Sequence, residues 1–284
     1  MEQINLKLGY YLVAFVDVLG QRARFRALKL PRNAEEEKLV REAVRQTAGF
    51  VLDVRRVFQT QFKIFEMTAN QTGVLPPESV RPKFVAFSDS SVIAVPLRNE
   101  TGDFRVVAVF SALSAAAILM LTALASRHAL RGGIDVELGT EIGPEEVYGT
   151  ALERAYLLER DIAQYPRIVI GDGLKNYLNA AIDNFESIET PAAKAITTIT
   201  KKIMDMIATD SDGEMILDYL GTAVVENAKA GQAETMVRPA YEFVLAEQKR
   251  VIAEGDAKLI QRYEKLRSYF ESRLHLWGIP VNKS

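Results

Sequence analysis

Tyr11-Leu-Val-Ala-Phe-Val-Asp17-Val-Leu-Gly20 and Phe84-Val-Ala-Phe-Ser-Asp89-Ser-Ser-Val-Ile-Ala-Val95 are the two stretches on which both the fold and the chemistry turn. Each is a run of β-branched and aromatic residues, the composition of a strand buried in a sheet. Each also carries one carboxylate. Burying a carboxylate among Val, Phe and Ile is costly unless a cation or hydrogen-bond donors compensate it. Gly20 ends the first run in a turn. Asp89-Ser90 reads as the tight turn of a hairpin between strands Lys83–Ser88 and Ser91–Leu97. Two carboxylates, one at the C-terminal end of a strand and one at a hairpin tip, can share a metal ion. That arrangement points to nucleotide chemistry.

Working outward, Asn33 is a candidate N-cap, and Glu35, Glu36 and Glu37 suit the positive end of a helix that runs to about Phe58. Thr68 to Pro82, with three prolines, reads as a loop. An apolar helix is expected from about Phe104 to Ala129. Leu130–Leu138 reads as a strand, Glu145 to Gln164 as mostly helix, and Arg167–Ile170 as a short strand ended by a turn at Gly171-Asp172-Gly173. Residues 174–207 read as helical, and Ser211–Tyr219 as a short strand or turn pair. Val237 to Leu274 reads as charged helix interrupted near Gly255. This order predicts an α+β fold, a mixed sheet with helices mainly on one face. Residues 1–175 are read as the catalytic core, and 176–284 as a helical extension that is either an interaction module or part of the same domain.

The chain has 284 residues and a formal net charge of -2, so nothing suggests a broad nucleic-acid surface, though a local basic pocket is compatible with it. It has no cysteine, so disulfides, thiolate catalysis and thiolate metal sites are excluded, and a reducing cytoplasmic location is expected. With only His128 and His275, a metal here is expected to be hard and oxygen-ligated, Mg²⁺ or Mn²⁺. Met1-Glu-Gln-Ile-Asn-Leu-Lys lacks the layout of a signal peptide. Val106 to Ser126 is uncharged between Arg105 and Arg127 and is long enough to span a bilayer. Its Ala and Ser content suits a helix packed closely on both sides, and no membrane insertion is expected. His128 and His275 themselves read as structural or exposed.

Asp17 and Asp89 come from strands that can lie side by side. Together they would repel unless a divalent cation joined them. Two such ions can bind a hydroxyl nucleophile and a leaving phosphate oxygen, the two-metal route for in-line displacement. Val18, Leu19 and Gly20 would supply backbone groups to the metal and phosphate, and Arg22 and Arg24 follow the turn as phosphate-binding candidates.

These segments resemble class III nucleotidyl cyclases. Phe15-Val-Asp17-Val-Leu-Gly20 resembles the family's first metal strand. Phe87-Ser-Asp89-Ser resembles its second metal hairpin, with Ser88 where Gly is usual. Leu130-Arg131-Gly-Gly-Ile134 resembles the strand before the last motif, and Glu146-Val-Tyr148-Gly149 through Glu159 resembles the last helix. The matches fall in the family's order over about residues 10–170. The resemblance implies that Asp17, Val18 and Asp89 hold two metal ions. It places Val85 at the family's base-reading Lys, Glu146 at its base-reading Asp, Glu153 at its ribose-orienting Asn, and Leu157 at its transition-state Arg. The usual purine pocket is thus altered, a combination similar to the pyrimidine cyclases of the bacterial anti-phage Pycsar systems. That implies UTP or CTP as substrate, with UTP favoured, and cyclic UMP or cyclic CMP as an alarm signal. It also implies a homodimer in which the aspartates of one chain and the last motif of the other share a site. Arg154, one helical turn before Leu157, is the leading replacement for the missing cation, with Arg131 and Arg167 as others. Glu153 and Tyr156 are the remaining pocket candidates. The rival readings are an ordinary adenylyl or guanylyl cyclase, a silent cyclase-like interaction module, and a membrane-anchored protein.

Overall fold

In the computed structural model the described residues are 8–20, 29–75, 77, 79–97, 104–143, 146–228 and 234–281. The first buried run forms β1 (Gly9–Val18), and the second forms the hairpin β2 (Lys83–Phe87) and β3 (Ser90–Pro96). The remaining strands are β4 (Leu130–Glu141), β5 (Val147–Tyr148), β6 (Ile168–Ile170), β7 (Ile207–Thr209) and β8 (Met215–Leu217). One sheet runs in the order β2-β3-β1-β4-β6-β8-β7, with β5 paired to β4. β1 is antiparallel to both β3 and β4, whereas β4 and β6 are parallel. The fold is therefore α+β with a mixed sheet, as the element order implied. Segment 176–284 contributes β7 and β8 to this sheet as well as helices.

Alternation along β1 divides its side chains between two cores. Leu12, Ala14, Val16 and Val18 join the large core, while Tyr11 and Val13 join a smaller one on the opposite face with Ala151 and Ala155. The large core is covered by α1 (Ala34–Asn70), α2 (Val106–Ala125) and later helices, among them α5 (Pro191–Met204) and α6 (Thr222–Ala228). The small one is covered by α3 (Thr150–Leu157), which is followed by a single π-helical stretch, Leu158–Ile162. α2 is long and apolar enough to cross a membrane, and 89% of its apolar window is buried inside the fold. It is the central core helix, with its apolar surface already covered by α1 and by α7 (Glu234–Glu254).

Several boundaries differ from the sequence expectation. Asn33 does cap α1, accepting from Glu36 N at 2.9 Å, but the helix runs on to Asn70. Phe58 and Phe62 continue the buried stripe, and buried Glu66 accepts from Val80 N at 2.7 Å, so the loop after the helix is shorter than expected. The hairpin turns at Ser88-Asp89, one residue earlier than read, and Ser90 is already in β3. Residues 146–164 are mostly helical, as read, but the span opens on a strand: β5 pairs with Thr140 and Glu141 before α3 begins. Gly171-Asp172-Gly173 is not a turn but the start of α4 (Asp172–Phe185). Buried Asp135 accepts from Leu174 N at 2.9 Å at that helix start, a long-range cap that local pattern does not reveal.

Candidate active site

β1 and β3 are in register so that Asp17 stands opposite Ser90. The Ser90 hydroxyl donates to Asp17 Oδ1 at 2.8 Å, and Val18 N–H donates to the Asp89 carbonyl at 3.0 Å. The two acids are thus brought together at one end of neighbouring strands, and both are buried, at 4% and 6% exposure. Ser88 enters the turn at φ +57°, in the left-handed region that favours glycine, at the position where Gly is usual in the resembling motif. The serine keeps the shape of the turn at some conformational cost.

Leu19 N–H donates to the Ala129 carbonyl at 2.9 Å, fixing the exit of β1, and Gly20 turns the chain at φ +86°. Arg22, proposed for phosphate, and Arg24 lie outside the described residues. On the other flank, β4 pairs Arg131 with Asp17. The Arg131 guanidinium lies 3.9 Å from Asp17 Oδ2, and its Nε donates to Glu159 Oε1 at 2.6 Å. Glu159 is 4% exposed and sits on the π-helical stretch. That stretch can approach β4 because Gly133 has no side chain. A Cβ there would lie 2.4 Å from the Ala155 carbonyl oxygen and 2.6 Å from Leu158 Cβ.

Of the remaining candidates, Tyr156 meets the ring of Phe15, two residues before Asp17, edge-on at 5.3 Å. Val85 is half-buried on β2 against the small core. Glu153 is exposed in the first turn of α3, and Glu146 is exposed in the turn before β5, its N–H on the Gly143 carbonyl at 3.4 Å. Arg154 is directed elsewhere in its own chain. Its Nε donates to buried Asp135 at 2.7 Å, and Glu137 lies 3.8 Å away. The Asp135 hydrogen bond leads in holding the Arg154 guanidinium above its ordinary range. Asp135 is four residues along β4 from Arg131, about 13 Å at strand spacing. Arg167 is also engaged, forking onto Asp210 and Asp212. Ser90 and Glu159 were not singled out from sequence. Ser90's signal was its place directly after Asp89. Glu159 carried none, since an acid near a helix end is ordinary surface chemistry.

The donor set suits a hard divalent ion. It offers two buried carboxylates and main-chain oxygen, with no sulfur or imidazole. Among the described residues no three acidic or histidine side chains cluster as a metal cage. An ion here would therefore complete its shell with water and substrate phosphate, the usual habit of Mg²⁺.

No family model and no curated protein matches the chain. Solved structures similar to it include the monomeric guanylyl cyclase domain of the RhoGC fusion protein from the aquatic fungus Blastocladiella emersonii. That domain is 11% identical, with 62% of this chain and 88% of that one covered and a TM-score of 0.33. Another is the catalytic core of a rhodopsin-guanylyl cyclase with converted specificity in complex with ATPalphaS, 12% identical, covering 61% and 83%, TM-score 0.32. A third is a class III adenylyl cyclase-like ATP-binding protein from Pseudomonas aeruginosa, 10% identical, covering 98% and 73%, TM-score 0.36. Likenesses this loose carry no argument about activity, which rests on the residues of this chain.

Proposed function

We propose that this chain is a nucleotidyl cyclase that converts a pyrimidine nucleoside triphosphate, UTP in preference to CTP, to its 3′,5′-cyclic monophosphate and pyrophosphate. The observation that carries the reading is the pairing of Asp17 with Ser90 in register, which sets Asp89 beside it with both acids buried. Two Mg²⁺ or Mn²⁺ ions held by Asp17, Asp89 and the Val18 backbone would acidify the attacking 3′-hydroxyl and neutralise charge on the leaving phosphates. Ser90 orients Asp17. Arg131 places a positive charge at the edge of the phosphate-binding region, where charge grows as pyrophosphate departs. With the Leu19 N–H held by the Ala129 carbonyl, the turn offers the main-chain N–H of Gly20 to phosphate, with Arg22 following in sequence.

In a two-fold homodimer each site takes its aspartates from one chain and Glu146, Glu153 and Tyr156 from the other; Arg154 would join them only by leaving Asp135 of its own chain. Val85 and Glu146, in place of the family's Lys and Asp, supply the altered base pocket that supports a pyrimidine. A cytoplasmic messenger for anti-phage defence is the role this substrate choice suggests. Incubation of the protein with each of the four triphosphates and Mn²⁺, with products read by mass, tests the reading. Cyclic UMP or cyclic CMP is expected; cyclic AMP or cyclic GMP alone would make it an ordinary purine cyclase.

One observation favours a second reading. Leu157 stands where the family has its transition-state Arg, and Arg154 is bound to Asp135. A nucleotide-binding module without turnover would show triphosphate binding and no product in the same experiment.

A further inference from the structure

A second basic site lies against the back of Arg131, where the C-terminal helices meet the sheet. α8 (Ala257–Arg273) presents Lys258, Arg262 and Lys265 at spacings of four and three, which puts them on one face of the helix. They line a pocket of about 300 Å³ whose other cations are Arg131 from β4 and Arg160 from the π-helical stretch, with Tyr165 beside them. Five cations and no carboxylate line it, in a chain whose formal net charge is -2.

The balancing charges account for only part of this. Glu159 holds Arg131, and Asp161 holds Arg160 at 2.7 Å. Asp256 caps α8 through the backbone N–H groups of Lys258 and Leu259. It and Asp212 act on Arg262 and Lys265 only through longer-range attraction. Lys265 instead lies 6.0 Å over the Tyr165 ring. Among the described residues, Lys258, Arg262 and Lys265 have no ion pair. Burial chiefly, and the charge of Arg131 second, hold the Arg262 guanidinium below its ordinary range. The first turn of α8 adds the positive end of its dipole.

We propose that this pocket binds a polyphosphate anion, either free pyrophosphate or the terminal phosphates of a nucleotide, through Lys258, Arg262 and Lys265 with Arg131 as its inner wall. Linked phosphates are favoured over a single anion by the length of the row. Positions 258 to 265 span about 10 Å along a helix, a length that linked phosphates match better than a single tetrahedral ion. A nucleic acid backbone would need a continuing basic stripe, and the net charge argues against one. The site goes beyond the cyclase reading and uses neither aspartate.

The test is calorimetric titration of the full chain with pyrophosphate in the presence of a chelator, so that no metal takes part. One site per chain is expected. The double substitution Lys258→Gln with Arg262→Gln should weaken it about tenfold or more, the scale of losing charge-assisted contacts. Orthophosphate and sulfate should bind far less well. The double variant should melt no lower than the parent, since it relieves like-charge repulsion. Loss of binding accompanied by a lower melting temperature, equal affinity in the variant, or equal binding of sulfate would each overturn the proposal. Displacement of pyrophosphate by a metal-free nucleoside triphosphate would assign the pocket to the nucleotide tail; simultaneous binding of both would assign it to free polyphosphate. Pyrophosphate binding without turnover of any triphosphate would keep this site and remove the cyclase reading, and turnover without binding would do the reverse.

Discussion

The Arg131 guanidinium lies 3.9 Å from Asp17 Oδ2 while its Nε bonds Glu159 at 2.6 Å. One partly buried cation thus joins the π-helical stretch to the acid at the end of β1. The distances rank its partners: Glu159 is the primary one, and Asp17 lies close enough to feel the charge. A cation this near also lowers the cost of burying Asp17 before any metal binds.

Removing one side of that pair should therefore cost more than removing both. Arg131→Met takes the counter-charge from a buried carboxylate, a loss of about 3–5 kcal/mol. The double variant Arg131→Met with Glu159→Leu should recover much of it. Urea unfolding with unchanged m-values would measure both. An Arg131→Met protein as stable as the parent would show that Glu159 does not depend on this partner.

Asp17→Asn and Asp89→Asn should each lower product formation at least about a thousandfold, the effect of losing about 4 kcal/mol of metal-borne charge stabilisation. Their melting temperatures in chelator should stay level or rise, because a buried carboxylate becomes a neutral amide of the same shape. Ser90→Ala should act more mildly. It removes the 2.8 Å hydrogen bond to Asp17, worth about 1 kcal/mol or more to a charged acceptor. Steady-state rates at saturating Mn²⁺ decide these cases, and an Asp17→Asn enzyme keeping a tenth of parental activity, on the order of 1 kcal/mol, would end the metal assignment.

Gly133→Ala probes the support of the site rather than the site. The new methyl would meet backbone at Ala155 and Glu159 and the Leu158 side chain, all within 3 Å. Backbone cannot swing aside as a long side chain can, so α3 and the π-helical stretch must shift. Overpacking of this kind costs about 1–3 kcal/mol. The shift should move Glu159 and with it Arg131, so activity should fall further than stability explains. Rates compared with parent at matched folded fraction would separate the two effects.

The strand-borne acids were legible in sequence because a carboxylate in a run of Val and Phe conflicts with its surroundings. Both conflicts, at Asp17 and Asp89, fall where the sheet brings them together. Asn33 was legible for the local reason that a cap is read within four residues. Asp135 caps α4 from 39 residues away, and no window of sequence holds both ends of that contact. The π-helical stretch was hidden for a related reason. Its register follows from the close approach allowed by Gly133, not from the propensities of Leu158 to Ile162. Arg154 shows the limit of motif transfer: its helical position suited a role beside Leu157, but the side chain is committed to an acid that the motif does not contain.

A last prediction concerns acid. Arg167, 2% exposed, forks onto Asp210 and Asp212, and Tyr165 donates to Asp210 at 2.6 Å. Burial pushes the Asp210 carboxyl up, but the Tyr165 hydroxyl, the Ser211 N–H and Arg167 together outweigh it and hold it below the usual carboxylate range. Asp212 is lowered too, chiefly by its hydrogen bonds from Arg167. A group whose folded pKa is depressed stabilises the fold fully above its unfolded pKa, about 4 for Asp. That contribution fades as pH falls through the lower folded value. Stability should thus be flat near neutrality and drop below about pH 4. Asp212→Asn removes one such group while leaving Asp210 on Arg167. The fall in melting temperature between pH 7 and pH 3 should then shrink by about 2–4 °C, the shift expected per kcal/mol in a chain of this size. An acid limb of the same depth in parent and variant would show that Arg167 draws its compensation from Asp210 alone.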